Sequence, residues 1–325
     1  MKSHWLHALL LGATAGLFAT GAAAQSTSYP HQMIKIVVPY PAGGATDSLA
    51  RMIATKLHEA WGQSVIVDNK PGASGTIGNA AVAKAAPDGY TVLLGITAIV
   101  QAPPLMPNLP YDVLKDLQPV TEVARASSVF AVPTDSPAAN LKDFVALVKA
   151  NPSKYNFGSY GAGTSSHIQG ALLNLQAGLD MAHVPYKGAA PLVNDLLGGQ
   201  LTAAFVDSAT ASPHLKSGKF KVLAVTGANR NKLLPDVPTF QELGYHSFEP
   251  YGWFGLFMPA GVPADVLKKF SAEAMRVLGM PDVVARIEAM GLTPVGNTPE
   301  EFARTVKNDA ALYAKIIKDT KITLQ

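Results

Sequence analysis

Three times along this chain, an apolar segment rich in β-branched residues runs into a loop of small and polar residues and then into the start of a helix. The loops span residues 39–44, 69–76 and 158–167. Their glycines, prolines and hydroxyl side chains end a strand and favour a turn. This repeated order of strand, loop and helix predicts an α/β protein.

Apolar spacing supports the helical parts of this order. The first loop follows a predicted strand, residues 34–38, and precedes apolar residues at three- and four-residue spacing: Leu49, Met52, Ile53, Leu57 and Trp61. Thr46 or Asp47 is the predicted N-cap of this helix, and Asn140 is the predicted N-cap of another.

The N-terminal segment predicts export. Residues 1–24 combine Lys2, an apolar run and small residues before Gln25, as a cleaved secretory signal peptide does. The apolar run is short for a retained membrane anchor, the alternative interpretation. The chain has no Cys, which excludes both a lipoprotein anchor and disulfides. We therefore expect a periplasmic protein, and the remaining residues suffice for two domains.

Composition favours folded cores and argues against a nucleic-acid partner. Hydrophobic residues make up 48% of the chain and charged residues only 15%. The formal net charge of +3 comes from lysines and arginines spread along the chain, without the basic run that a phosphate-tracking surface needs.

The three loops are candidate anion sites. A helix start presents unpaired backbone N–H groups and the positive end of the helix dipole. Glycine-rich turns are also routine in α/β proteins, so one such loop would mean little. Three together indicate that a small anion is bound.

Nucleotide, metal and cofactor sites find no support in the sequence. The chain lacks a P-loop motif, and Gly161 and Gly163 are followed by Ser166 where a dinucleotide fingerprint has its third glycine. More than ten residues separate any two histidines of the exported part, which are His31, His58, His167, His183, His214 and His246. No two of them can share a helix face as zinc ligands, so we expect neither a metal nor a cofactor.

A secreted hydrolase is a rival interpretation, because a nucleophile, a base and an orienting acid are available. The candidates are Ser74, Ser165, Ser166, His167, His183 and Asp207. No G-x-S-x-G elbow occurs, however, and hydroxyls beside glycines also serve as caps or ligand donors. His167 remains open as a helix-start donor, a ligand contact or a surface residue.

Several motifs together resemble the substrate receptors of the tripartite tricarboxylate transporters, the Bug family. They are residues 38–47 (VPYPAGGATD), 67–75 (VDNKPGASG), 160–167 (YGAGTSSH), 184–188 (VPYKG), 237–239 (VPT) and 253–256 (WFGL). They cover the chain beyond the signal peptide in the family's order.

The resemblance implies a type II periplasmic-binding-protein fold, in which two α/β domains enclose a ligand cleft. Domain 1 would hold residues 29–125 plus 253–325, and domain 2 residues 126–252. The residues implied for the first wall are Tyr40, Ala42, Gly43, Gly44, Asp47, Ala73, Ser74 and Gly75. Those implied for the second wall are Gly163, Thr164, Ser165, Ser166, His167 and Asp207.

The implied function is that of a monomeric, non-enzymatic receptor that delivers a small carboxylate to inner-membrane transporter subunits. A receptor that reports its ligand to a membrane signalling partner is an alternative. Dicarboxylates, tricarboxylates, amino acids and aromatic acids all remain open as ligands. Asp207 would recognise an amine, hold waters or cap a helix. The six arginines lie outside the matched loops, so we expect backbone N–H groups to bind the carboxylate, in a cleft that closes on it.

Overall fold

The computed structural model describes residues 29–215, 218–248 and 252–324, so the predicted signal peptide lies outside the described part. The strands form two sheets. The first sheet contains β1 (Ile34–Val38), β2 (Val65–Asn69), β3 (Thr91–Ile96), β4 (Leu117–Ala126), β10 (Gly252–Pro259) and β11 (Thr293–Pro294). Their order is β11-β4-β10-β3-β1-β2, with β1 parallel to β2 and β3, and β10 antiparallel to β3 and β4.

The second sheet has the same mixed character. It contains β5 (Ser128–Pro133), β6 (Asn156–Ser159), β7 (Ala182–Pro185), β8 (Ala203–Asp207) and β9 (Phe220–Val225). Their order is β7-β6-β8-β5-β9. Strand β6 runs parallel to β7 and β8, whereas β5 is antiparallel to β8 and β9. These two sheets with their helices confirm the α/β prediction.

Helices connect the strands and cover the sheets. They are α1 (Ala45–Trp61), α2 (Thr76–Ala83), α3 (Ala98–Gln101), α4 (Val113–Asp116), α5 (Leu141–Ala150), α6 (Ser165–Ala177), α7 (Ala189–Leu197), α8 (Ser208–Leu215), α9 (Ala264–Leu278), α10 (Pro281–Ala289) and α11 (Pro299–Thr320). None of these helices is long and apolar enough to cross a bilayer, within the residues described.

Local sequence signals gave most element positions correctly. The first predicted strand is β1, and Asn140 caps α5 by accepting a hydrogen bond from the Asp143 N–H at 2.9 Å. The predicted cap of α1 was wrong: the N-cap is Gly44, and Asp47 lies within the first turn. Gly44 has no side chain to satisfy the helix start, which matters for the site described below.

The apolar sequence of β1 reflects burial on both faces of the first sheet. Ile34, Ile36 and Val38 pack with Leu49 and other residues of α1 in one core. Val37 points to the opposite face, in a core that also contains Phe302 of α11. Alternate side chains of a strand point to opposite faces, so a strand covered on both faces is largely apolar; in β1 the exception is the partly exposed Lys35.

The chain crosses between the sheets at Ser127, the single residue that separates β4 from β5. This crossing is tied to its surroundings. The Ser127 carbonyl accepts from the Ser208 N–H at 2.9 Å, and its hydroxyl accepts from the Asn231 amide at 2.6 Å. The Ser208 hydroxyl in turn donates to the Gly291 carbonyl at 3.1 Å.

Gly170 tests how tightly α6 is packed on its sheet. A Cβ at this position would lie 2.0 Å from the ring of the buried Phe157. Alanine in a helix is favoured over glycine by about 0.5–1 kcal/mol, but forced overpacking costs about 1–3 kcal/mol. We expect Gly170→Ala to lower the free energy of unfolding, measured by urea titration. Gly279→Ala is the matched control, because its Cβ would meet only ordinary contacts at 3.6 Å. Equal stabilities of the two variants would contradict this packing argument.

Candidate functional site

A cavity of about 630 Å³ opens between the two sheets, at the carboxyl ends of several strands. Ligands of open α/β sheets bind at such strand ends. The first sheet and its connections contribute Tyr40, Ala45, Ser74, Ile96, Thr97, Ala98, Gln101, Ala126, Gly252, Trp253, Phe254 and Leu292. The second contributes Ser128, Tyr160, Thr164, Ser165, Ser166, Gln169, Asp207, Ala209 and Thr210.

Helix α1 begins at the first wall of this cavity without a side-chain cap. Its first intrahelical bond runs from the Ser48 N–H to the Gly44 carbonyl at 2.9 Å, which leaves the N–H groups of residues 45–47 at the helix end. Ala45, the first of them, lines the cavity.

Helix α6 begins at the opposite wall in the same way. Its N-cap, Thr164, does not accept from a backbone N–H of the helix. The Thr164 hydroxyl donates to the Gly161 carbonyl at 2.7 Å and lies 3.0 Å from the Ser166 hydroxyl. Ser165 and Ser166, the first residues of the helix, line the cavity. Helix α3, of four residues, also begins at this cavity without a side-chain cap, at Ala98 on the first wall. Helices α2, α7, α9 and α10 lack side-chain caps as well, but their first residues do not line the cavity. Helices α1 and α6, both much longer than α3, begin at the cavity from opposite sides.

The loop before α1 is held by the third residue of the helix. The Asp47 carboxylate accepts from the Gly43 N–H at 2.9 Å, from Arg51 at 3.0 Å and from the Asn69 amide at 3.0 Å. The hydrogen bond from Arg51 lowers the pKa of Asp47 most, and those from Gly43 and Asn69 add to this effect. The resulting pKa is about 2. The carboxylate therefore faces its own loop, and Arg51 balances its charge. Gly43 has φ +89°, which only glycine adopts without strain.

The loop before α6 is held by a hydrogen bond at the equivalent position, here to a neutral side chain. The Gly163 N–H donates to Nδ1 of His167 at 3.0 Å, again from the residue before the N-cap to the third residue of the helix. Gly163, like its counterpart Gly43, has a positive φ, here +76°. His167 therefore points back into its loop and does not line the cavity.

His167 stacks on His183, with ring centroids 3.7 Å apart and planes 5° from parallel. Nε2 of His183 lies 2.6 Å from the hydroxyl of Ser159. Burial lowers the pKa of both histidines, and the neighbouring His167 lowers that of His183 further, to about 4. Both rings are therefore neutral near pH 7, and they brace the second wall from behind.

The second glycine-rich loop forms a left-handed turn under Tyr40. Ala73 and Ser74 have φ of +46° and +54°, values that are uncommon outside glycine and that cluster at functional sites. A Cβ on the next residue, Gly75, would lie 3.0 Å from the Tyr40 hydroxyl. Burial raises the pKa of Tyr40, so this hydroxyl stays protonated at the cavity wall.

Asp207 ends β8 and is satisfied by three protein donors. Its Oδ1 accepts from the Thr210 N–H at 2.8 Å, while Oδ2 accepts from the hydroxyls of Thr210 at 2.8 Å and Tyr160 at 2.6 Å. The bond to the Thr210 N–H is an N-cap for α8, one of the three roles left open by the sequence. Burial, and then the charge of Asp207, raise the pKa of Tyr160, which stays a donor.

The two walls meet at a polar contact inside the cavity, in addition to the Ser208–Gly291 hydrogen bond near the crossing at Ser127. Gln101 of α3, almost completely buried, pairs with Ser165 of α6, its Nε2 lying 2.9 Å from the serine Oγ. Because α3 belongs to the first wall and α6 to the second, this bond spans the cavity.

The structure divides the predicted site residues into two sets. Those lining the cavity are Tyr40, Ser74, Thr164, Ser165, Ser166 and Asp207. Those forming the loops behind it are Ala42, Gly43, Gly44, Asp47, Ala73, Gly75, Gly163 and His167. Of the aromatic residues in the matched motifs 184–188 and 253–256, Trp253 and Phe254 line the cavity and Tyr186 does not.

Sequence reasoning missed several lining residues, among them Gln101 and Gln169. Gln169 follows Ser165 by four residues, so helical spacing alone puts both on one face and would have found it. No comparable signal marks Gln101, which reaches the cavity only through tertiary packing.

A second cavity, of about 490 Å³, contains the basic side chains that the first one lacks. Arg125, Arg230 and Lys232 line it, together with the acidic Glu288. Arg125 pairs with Glu122 at 2.9 Å and Arg230 with Glu242 at 3.0 Å. Two of the three positive charges are thus already paired and Glu288 adds a negative one, which makes this cavity the weaker candidate for an anion site.

Two mixed α/β sheets around a cleft, with two uncapped helix starts at its walls, are the architecture of a periplasmic solute-binding protein. A family model, the tripartite tricarboxylate transporter family receptor, matches residues 49–322. Protein BugT of Bordetella pertussis is 35% identical over 315 residues, covering 96% of each chain. The solved structure of periplasmic binding protein BugD has a TM-score of 0.76 at 34% identity, covering 91% of this chain and 100% of that one. MatC of Rhodopseudomonas palustris with bound malate has a TM-score of 0.75 at 30% identity, covering 89% and 100%.

The chain therefore belongs to the tripartite tricarboxylate transporter receptor family. It is a solute-binding receptor of this transporter class, which confirms the predicted family and type of fold.

The stacked histidines predict a pH-dependent stability. An unfolded histidine has a pKa near 6.5, whereas that of His183 is about 4 in the folded chain. The unfolded state binds more protons between these values, so the histidine contribution to stability is full above pH ~6.5 and is lost as pH falls towards ~4. In His183→Gln, the free energy of unfolding should fall less steeply over this window. Urea titrations at several pH values measure it, with the exposed His246→Gln as control. The same slope in wild type and His183→Gln would contradict the assignment.

Proposed function

We propose that this receptor holds a small carboxylate between the N-termini of α1 and α6 and delivers it to the membrane subunits of a tripartite tricarboxylate-type transporter. The observation that carries the proposal is that both helices begin, without side-chain caps, at the same cavity from opposite walls. A carboxylate between them accepts hydrogen bonds from both sets of N–H groups. The malate bound to MatC supports a carboxylate as the ligand class.

Affinity of a useful size requires both walls together. Micromolar binding needs about −8.2 kcal/mol, whereas one helix end contributes about 0.3–1 kcal/mol at an exposed site. Water exclusion between the walls strengthens each hydrogen bond to the charged ligand, whose individual contribution is about 1.5–3 kcal/mol. The ligand therefore binds best when the two halves enclose it.

The residues divide into contacting and supporting roles. We assign ligand contact to the cavity-lining Tyr40, Ser74, Thr164, Ser165, Ser166 and Asp207. The remaining predicted residues shape the loops: Ala42, Gly43, Gly44 and Asp47 before α1, Ala73 and Gly75 around Ser74, and Gly163 and His167 before α6. Asp207 stays occupied by its own donors, which favours capping over recognition of an amine.

Export, assembly and domain organisation complete the proposal. Residues 1–24 act as a cleaved signal peptide, and the protein works in the periplasm as a monomer beside the inner-membrane subunits. The chain is divided into domain 1, residues 29–125 plus 253–325, and domain 2, residues 126–252. Support for this division comes from β4 and β5, which belong to different sheets although only Ser127 separates them.

Reversible binding without turnover is consistent with the position of Ser159 and His183, a serine and histidine pair of the second wall. Ser159 lies 2.6 Å from His183, but it is completely buried and does not line the cavity. A bound ester cannot reach this hydroxyl. Recovery of an ester probe unchanged after incubation with the protein tests this part of the proposal; its cleavage by pure protein would reject it.

Ala45→Pro tests the backbone site directly. Proline at the first helical position removes one N–H group and fits helical geometry, and Gly44 already has the extended ψ of 176° that a following proline requires. The loss of one hydrogen bond to a carboxylate should weaken binding about 10- to 100-fold. Isothermal titration with malate and other carboxylates that bind the wild type measures the effect.

The matched control for this experiment is Ala264→Pro. Ala264 is the exposed first residue of α9 and does not line the cavity, so this variant should bind as the wild type does. An Ala45→Pro variant of unchanged melting temperature and unchanged affinity would reject the proposed anion site.

We expect the two domains to close on the ligand, because tight binding requires contacts from both walls. The Gln101–Ser165 contact shows where the walls meet. We expect Gln101→Ala to shift the ligand-free protein towards an open form, because it removes this contact, and saturating ligand to restore compactness. Small-angle scattering with and without ligand measures the radius of gyration. Identical dimensions in all four samples would exclude closure of this kind.

A further inference from the structure

Gln169 carries a polar atom that the protein leaves unsatisfied. It lies on α6, 9% exposed, and it lines the cavity. Its Oε1 is fully buried and has no hydrogen-bond partner among the described residues. An unsatisfied buried carbonyl costs about 1–3 kcal/mol, and the Gln169 side chain borders the cavity, so rotation of its amide towards a polar partner on the ligand would relieve this cost.

The position of Gln169 fixes where that partner lies. Gln169 is four residues beyond Ser165 on the same face of α6, which puts it about 6 Å further along the helix axis. A ligand whose carboxylate sits at the start of α6 would therefore present a second polar group to Gln169 several bonds away.

The charges around the cavity argue against a second carboxylate. The described lining residues include no Lys, Arg or His, and their one acidic side chain is Asp207. Tyr40 and Tyr160 stay neutral because burial raises the pKa of each. A second negative charge would find no cation here and would be repelled by Asp207.

The rest of the lining is uncharged and partly apolar. Ile96, Trp253, Phe254 and Leu292 face the cavity beside the hydroxyl residues Thr97, Ser128 and Thr210. The four apolar side chains favour an apolar ligand body over a highly hydrated one. The ligand thus has one charged end, an apolar middle and an uncharged polar group.

We propose that Gln169 recognises a hydroxyl group on the ligand, so that the cavity selects a hydroxylated monocarboxylate with an apolar body over a dicarboxylate. A hydroxyl both donates and accepts, so it satisfies the Gln169 amide in either of its two orientations. This inference rests on the proposed carboxylate-binding function and adds the nature of the second group.

The test uses two sets of matched acids and isothermal titration. One set is 6-hydroxyhexanoate, hexanoate and adipate; the other is 4-hydroxybenzoate, benzoate and terephthalate. In each set the distal group changes from hydroxyl to hydrogen to carboxylate. In at least one set, the wild type should bind the hydroxy acid about ten-fold more tightly than either analogue, equivalent to about 1.4 kcal/mol.

Gln169→Met should remove the preference for the hydroxyl while leaving the affinity for the unsubstituted acid within a few-fold of the wild-type value. Gln241→Met is the control: this glutamine is exposed and does not line the cavity, so its variant should keep the preference. If Gln169→Met does not fold, the comparison of the acids on the wild-type protein still tests the inference, because it needs no variant.

Three results would overturn the inference. They are equal binding of hydroxy and unsubstituted acids by the wild type in both sets, tightest binding of the dicarboxylate in both sets, and an unchanged hydroxyl preference in Gln169→Met. Each of these still requires that carboxylates bind, so the receptor function survives them. Failure of every acid in both sets, and of malate, would instead reject the proposed function, and this inference with it.

Discussion

The N–H groups at the starts of α1 and α6 are the constraint on which the rest of the site depends. A helix start leaves N–H groups that need partners, and side chains usually supply one. Here Gly44 has no side chain and the Thr164 hydroxyl is turned to its own loop. The donors stay open to the cavity, where only solvent or a ligand can satisfy them, and a carboxylate satisfies them best.

Keeping the donors open requires loops of fixed shape, and both walls achieve this in the same way. A glycine with positive φ donates to the third residue of the following helix: Gly43 to Asp47, and Gly163 to His167. These side chains act from behind the loop. Their charge differs, since Arg51 balances Asp47 whereas the pKa of His167 is lowered by burial. Neither leaves an uncompensated charge beside the anion site.

Local signals in the sequence predicted the elements and the loops, but not which side chains enter the cavity. The apolar run of β1 and the cap of α5 depend on neighbouring residues and were predictable. Asp47 and His167 turn away because each bonds its own loop, which the residue types do not reveal. His167 meets His183 through the parallel pairing of β6 with β7, where Phe157 lies opposite His183. Gln101 reaches Ser165 only because the two sheets pack together.

A site built from backbone donors separates the recognition of charge from the recognition of the ligand body. N–H groups are independent of side-chain identity, so the proposed anion site does not depend on the side chains that differ between this chain and relatives such as BugT, which is 35% identical. Discrimination between ligands then depends on the side chains around the rest of the cavity, and amino-acid substitution can change these. In this chain those side chains include Gln169, several hydroxyl groups and apolar residues, without a cation among the described lining residues. A ligand with several charges would lose hydration in this cavity without gaining a counter-charge. A ligand with one carboxylate also loses hydration, but the N–H groups at the two helix starts replace its hydrogen bonds to water.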